Sequence, residues 1–290
     1  MSGPLLYLQI TLAVFTLSLV VGWLKFGRPA DAMDVGFPTA TQLGTGFVTN
    51  FFDTLGIGSF APTTAVFRAL RMVPDERIPG TLNVGHTLPT ITQAFIFTNT
   101  IEVDFTTLIV LIISAVLGAW LGAGVVARWP RRKIQLGMGG ALLAAAVLFT
   151  LNNLDVVAAG GEAIGLTGGM LLVGAAGHFA LGALMMVGVG LYGPSLIMIS
   201  LLGLNPRVAF PIMMGSCAFL MVVASIRFIR ERAYQQRPAI GLALGGIPAV
   251  LIAGLIVKSL ELKTVRWLVV VVVLYTAITM LYSALREKKA

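Results

Sequence analysis

Two heptapeptides decide the fold: Gly56-Ile57-Gly58-Ser59-Phe60-Ala61-Pro62 and Gly188-Val189-Gly190-Leu191-Tyr192-Gly193-Pro194, at an offset of 132 in the numbering (56 to 188, 62 to 194). Each lies within an apolar region, 35–67 broken only by Asp53 and 163–206 broken only by His178. A helix rising 1.5 Å per residue crosses the ~30 Å hydrocarbon core in about 20 residues, so each region is too long for one crossing. Each reads as a hairpin broken at its Gly-x-Gly. The second arms, from Pro62 and Pro194, have about 11 residues and reach ~16 Å, which leaves the tips near the bilayer midplane. Proline suits the first turn of such an arm, where its missing donor costs nothing. Unpaired backbone groups at that depth persist only where they are buried or line a wet cavity.

Composition places these hairpins in lipid. Charged residues make up 11% of 290 positions and apolar residues 57%, whereas a soluble domain carries about 25% charged residues to cover its surface. At about 20 residues per crossing there is room for roughly seven to ten spans. The net charge of +8 is not a nucleic-acid signal, because the basic residues cluster between apolar runs: Lys25 and Arg28; Arg128, Arg131, Arg132 and Lys133; Arg227, Arg230, Arg232 and Arg237. Such clusters mark cytoplasmic loops. Cys217 is the single cysteine, which removes disulfides, thiol relays and cysteine metal sites. Residues 4–24 lack a basic leader and a small-residue cleavage site and read as a retained helix.

Further spans are expected over 78–101, 105–127, 134–154, 208–226, 238–257 and 267–285. Loops 25–28, 68–77, 128–133 and 227–237, and the tail with Arg286, Lys288 and Lys289, are basic and therefore inside. Loop 99–104, with Glu102 and Asp104, and loop 151–165, with Asp155 and Glu162, are outside. Alternation puts 203–207 and 258–266 outside as well, although the latter carries Lys258, Lys263 and Arg266. The two hairpins then enter from opposite faces. More matches run through the halves: Gly85 with Gly215, and Ala119, Ala123, Gly124 and Arg128 with Ala249, Ala253, Gly254 and Lys258, at an offset of 130. The expected fold is all-α and integral to the membrane. An extra helix and loop (1–34) precede a first repeat (35–154) and a second, inverted repeat (155–290), each a broken-helix hairpin plus three transmembrane helices.

Inverted repeats with interrupted helices are a transporter signature. Two short-arm N-termini, with free amides and positive dipole ends, converge at the centre, which suits an anion. At these same residues (Gly56, Gly58, Pro62; Gly188, Gly190, Pro194; and the opening Pro79-Gly80-Thr81-Leu82-Asn83) the chain resembles the TauE/SafE sulfite exporter family, also called the toluenesulfonate uptake permease family. The resemblance covers about residues 38–285. It implies a secondary transporter, of the exporter type, for a small sulfur-containing anion such as sulfite, thiosulfate or a sulfonate, driven by the proton-motive force, in a bacterial plasma (inner) membrane. The N-terminus would be outside and the C-terminus cytoplasmic. Two departures are plain: the family's Gly-Gly-Gly run is here Gly-Ser-Phe and Gly-Leu-Tyr, and residues 1–35 add a helix that many members lack.

The substrate site is expected at Gly56, Gly58, Ser59, Gly188, Gly190, Tyr192 and Ser195, with Asn83 and His86 from a polar stripe (Asn83, His86, Thr87, Thr90) on the helix after the first hairpin. Asp53, the only acid inside an apolar segment, is the coupling candidate, since a membrane carboxylate is costly; a structural pair or cap is its alternative. Asn50 and Thr54 are its helical neighbours. His178 reads as structural, the Gly118/Gly122 and Gly241/Gly245 pairs as internal helix contacts, and the methionines as packing. Partners are the anion, protons and membrane lipid, with no nucleic acid; a homodimer is compatible with this arrangement. One acid and two histidines on distant segments form no catalytic pair, and no zinc spacing or phosphate loop calls for a cofactor, so no enzyme is expected. A passive anion channel and a non-transporting assembly subunit are the competing readings.

Overall fold

A computed structural model describes residues 3–29, 34–56, 58–74, 77–126, 161–186, 190–259 and 262–286, with isolated positions between 132 and 154. The described residues are helical: α1 Gly3–Phe26, α2 Ala40–Thr54, α3 Phe60–Ala69, α4 Ile78–Thr100, α5 Phe105–Val126, α6 Gly168–Met185, α7 Tyr192–Leu201, α8 Ala209–Glu231, α9 Gln236–Ser259 and α10 Leu262–Arg286. The span expected over 134–154 falls outside them but for those isolated positions. Gly3–Phe26, Gly168–Met185, Pro206–Glu231 and Gln236–Ile256 are long and apolar enough to cross a membrane.

Both hairpins break beside their glycine tips. α2 opens with a capping box, in which the Thr39 hydroxyl accepts from the Gln42 amide at 3.2 Å and Gln42 Oε1 accepts from the Thr39 amide at 2.9 Å. It ends at Thr54, and the chain turns at Gly56, whose φ of +93° suits glycine. The short arms begin at Phe60 and Tyr192, two residues before the expected Pro62 and Pro194. Those prolines still sit in the first turn, whose amides have no intrahelical acceptor in any case. α3 and α7 keep the heptapeptide offset at both ends (60 to 192, 69 to 201). Their closing bonds match as well: Met72 N to Phe67 O and Leu204 N to Ile199 O, over left-handed Arg71 and Gly203. At ten residues each, they reach about 15 Å, half the hydrocarbon core.

The helices pack through small residues, as helices in lipid do. α2 lies on α9, where Gly245 meets the Leu43 carbonyl and Gly241 meets Gln42; α5 lies on α6, where Gly118 meets the Phe179 carbonyl and Gly182 meets that of Ala115. Gly118, Gly241 and Gly245 thus make internal contacts, as expected of them. α4 and α8 cross at the centre, joined by the Thr87–Ser225 hydroxyl pair at 2.9 Å and the stacked rings of Phe97 and Phe210 at 5.2 Å. α1 rests on the outside of α8 through a Leu8, Leu12, Phe15, Leu19 stripe, with Phe15 edge-on to Phe219 at 5.3 Å. Its other face, including Ile10, Val14, Leu17 and Leu24, is exposed.

The connections gather at two ends. At one, Arg230 lies over Phe26, the Asp34 carboxylate accepts from the amides of Gln236 and Arg237, Gln235 N donates to Thr81 Oγ1, and Arg132 Nε donates to the Ala284 carbonyl. At the other, Asp104 N donates to the Ile164 carbonyl, Leu166 N to Thr107 Oγ1, Asn205 N to the Ala163 carbonyl, and Asn205 Nδ2 to Glu162. Among the described residues, Arg230 and Arg237 of a loop read as basic and Asp104 and Glu162 of the loops read as acidic are therefore at opposite ends. α3 runs towards the first end and α7 towards the second.

Candidate functional site at the meeting of the hairpin tips

The tips meet between α4 and α8 around a small cavity. The first hairpin contributes Asp53, Gly58, Ser59 and Phe60; the second contributes Met185, Gly190, Leu191 and Tyr192; α4 adds Thr90, and α8 adds Cys217 and Met221. The side chains of this lining are buried, and only the two tip glycines are partly exposed. No Lys or Arg is among these lining residues.

A chain of hydrogen bonds ties one tip to the other. Gln93 on α4 donates from Nε2 to Asp53 Oδ2 at 2.8 Å and to Thr54 Oγ1 at 3.0 Å. Its Oε1 accepts from the Tyr192 hydroxyl at 2.5 Å. Ser59 hydrogen-bonds to the Asp53 carboxylate through both side chain and backbone, and Thr90 lies against the Tyr192 hydroxyl. The donors around Asp53 are polar neutral groups rather than cations. At the second tip, Leu191 precedes α7 and its side chain makes no cap bond to the first amides of the helix.

The expected site residues separate. Gly58, Ser59, Gly190 and Tyr192 line the cavity together with Asp53. Gly56 makes the turn behind it, against Phe210 and Met213. Gly188 lies outside the described residues. His86 is buried with both ring nitrogens engaged: Nδ1 donates to Asn50 Oδ1 and Nε2 accepts from the Thr63 hydroxyl, each at 3.0 Å. Ser195 donates to His178 Nε2 at 3.0 Å, while His178 Nδ1 faces the Gly174 carbonyl at 3.3 Å. Thr63 and Ser195 are counterparts at the heptapeptide offset, so each short arm is fastened by one hydroxyl–imidazole bond. Asn83 donates to the Pro79 carbonyl at 2.9 Å near the start of α4 and does not reach the cavity.

Sequence reading missed Gln93. The stripe Asn83, His86, Thr87, Thr90 continues to residue 93 at the same spacing of three, and a glutamine deep in an apolar helix was the available signal. Cys217, read only as excluding disulfides, thiol relays and cysteine metal sites, and Met221, read with the methionines as packing, face the same cavity.

A bundle of apolar helices around a buried cavity, walled by two broken hairpins, is a multi-pass α-helical membrane protein. The family model for the sulfite exporter TauE/SafE matches residues 2–149, just over half the chain. The chain belongs to that family, and the match takes in α1, which the resemblance had set apart. No curated protein matches the chain. No solved structure matches it.

Proposed function

We propose that the protein is a secondary transporter, an exporter of a small sulfur-containing anion such as sulfite, thiosulfate or a sulfonate, driven by the proton-motive force across a bacterial plasma membrane. The observation that carries this reading is the cavity: two glycine tips, each followed by a ten-residue helix, meet around a buried space whose polar lining is hydroxyls and one carboxyl, with no Lys or Arg among the lining residues described. Helix N-termini supply the attraction, each about 0.3–1 kcal/mol when exposed and up to about 2 kcal/mol when partly buried. Weak affinity, on the order of micromolar to millimolar, follows, which suits a carrier that must release its cargo.

Asp53 couples the anion to protons. The halves form an inverted repeat. Support comes from reciprocal packing, in which α2 lies on α9 as α5 lies on α6, and from the opposite courses of α3 and α7. The basic end is cytoplasmic, with the N-terminus outside and the C-terminus inside.

Gly190→Val tests the site cleanly. A Cβ at Gly190 meets nothing within 4 Å, and its φ is not in the left-handed region, so the variant should fold with unchanged thermal stability. Its side chain should fill the space an anion needs. Loss of sulfite- and thiosulfate-dependent thermal stabilisation is the expected outcome; a folded variant that binds these anions with wild-type affinity refutes the placement.

A further inference from the structure

The cavity has two chemically different walls. At the heptapeptide offset its lining pairs off: Asp53 with Met185, Ser59 with Leu191, Phe60 with Tyr192. Where the first half sets a carboxyl and a hydroxyl, the second sets a thioether and an alkyl group. α8 extends that second wall with Cys217 and Met221, one helical turn apart and therefore on one face. The Cys217 thiol lies 3.6 Å from Met185 Sδ, which joins sulfurs from α8 and α6. Met185, Cys217 and Met221 are at most 2% exposed, so this wall is held in place.

Hard and soft ends matter to an oxyanion. A thioether is at best a weak acceptor and a thiol a weak donor. An oxygen turned towards this wall would leave water for partners that scarcely donate, and an unmade hydrogen bond is expensive. A sulfane sulfur is larger, more polarisable and less strongly hydrated. It loses little there and gains dispersion contacts with methionine. The thiol proton now directed at Met185 can turn to it.

Resting on the anion-carrier reading above, we infer that the cavity selects a sulfur oxyanion in which sulfur replaces one oxygen, of the thiosulfate type. Its oxygens face the backbone amides of the helix ends; its terminal sulfur lies against Met185, Cys217 and Met221. Cys217 is the specificity-determining residue.

Calorimetric titration of the purified full chain with thiosulfate, sulfate and methanesulfonate tests this. Thiosulfate and sulfate carry the same charge, and one unmade hydrogen bond separates them on this wall, so thiosulfate should bind about tenfold more tightly. Methanesulfonate has a soft end that accepts no hydrogen bond, and it should fall below thiosulfate. Cys217→Ser puts a hard donor on the wall and should shrink the thiosulfate-to-sulfate ratio several-fold. Met185→Leu, which keeps the volume without the sulfur, should shrink it as well. Equal wild-type affinity for thiosulfate and sulfate overturns the soft end while leaving the carrier reading standing. So does a ratio that neither substitution changes, or methanesulfonate binding as tightly as thiosulfate. Absence of binding by every sulfur anion overturns both.

Discussion

Gln93 holds the two halves of the cavity together, and a double-mutant cycle with Tyr192 measures how strongly. Gln93→Leu keeps most of the volume of a fully buried side chain and removes three hydrogen bonds: to Asp53 at 2.8 Å, to Thr54 at 3.0 Å and from Tyr192 at 2.5 Å. Neutral hydrogen bonds contribute about 0.5–1.5 kcal/mol each, and those to charged groups about 1.5–3 kcal/mol. The loss is bounded because Asp53 keeps Ser59 and Tyr192 keeps Thr90. Gln93→Leu should therefore cost about 2–4 kcal/mol. Tyr192→Phe removes one of the same bonds and strands the Gln93 carbonyl, at a cost of about 1–2 kcal/mol. The shared bond is lost in either single variant. The double variant should then be less destabilised than additivity predicts by about 1 kcal/mol, as is typical of members of one network. Unfolding free energies from denaturant titration in mixed micelles, followed by circular dichroism, supply the four corners of the cycle. Additivity to within about 0.3 kcal/mol, as distant and independent sites show, would refute the bridge between the tips.

Other expectations follow from single positions. Asp53→Asn should abolish gradient-driven accumulation of anion in liposomes while leaving anion exchange, and should remove the pH dependence of binding; concentrative transport by the variant would take Asp53 out of the mechanism. Gly245→Ala drives a Cβ into the Leu43 carbonyl and should cost about 1–3 kcal/mol through overpacking of α9 on α2. Gly44→Ala meets nothing within 4 Å and should be neutral or stabilising by up to about 1 kcal/mol; equal melting temperatures for the two variants would deny the α2–α9 contact. Single cysteines at exposed Glu102 and Arg28, in a Cys217→Ser background, should react with an impermeant reagent from opposite sides of the membrane, and labelling from one side would reverse the topology argument.

The broken hairpins were legible because a membrane leaves few ways to write one. An apolar run as long as 35–67 with a Gly-x-Gly inside has no other comfortable fold, and the positions of Pro62 and Pro194 locate the short arms to within two residues of Phe60 and Tyr192. The cavity was half legible. Gly58, Ser59, Gly190, Tyr192 and Asp53 stood out because glycines at a tip and an acid in an apolar run are anomalies along the chain. Gln93 and Cys217 were not anomalous in that sense. What makes them part of the site is the crossing of α4 and α8, a tertiary fact that periodicity within one helix does not contain. His86 misled for the converse reason: a histidine in a membrane helix is costly wherever it sits, and here Asn50 and Thr63 absorb that cost away from the cavity.

The proposed repeat hides the chemistry. Reading by matching residues favours the glycines, which both heptapeptides share and which make the geometry. In a carrier of the proposed kind, function depends on where the two heptapeptides and their flanks differ. A symmetric site would present like groups at matching positions of the two tips. Here Asp53 has a methionine at its counterpart position, and Ser59 a leucine. The fastenings differ too: α3 is tied through His86 to α2 and α4 together, whereas α7 is tied through His178 only to its own long arm α6. The first hairpin is thus braced against the central helix that also carries Gln93, and the second reaches that helix through the Tyr192 hydroxyl. Among the described residues, the second tip has the fewer polar ties.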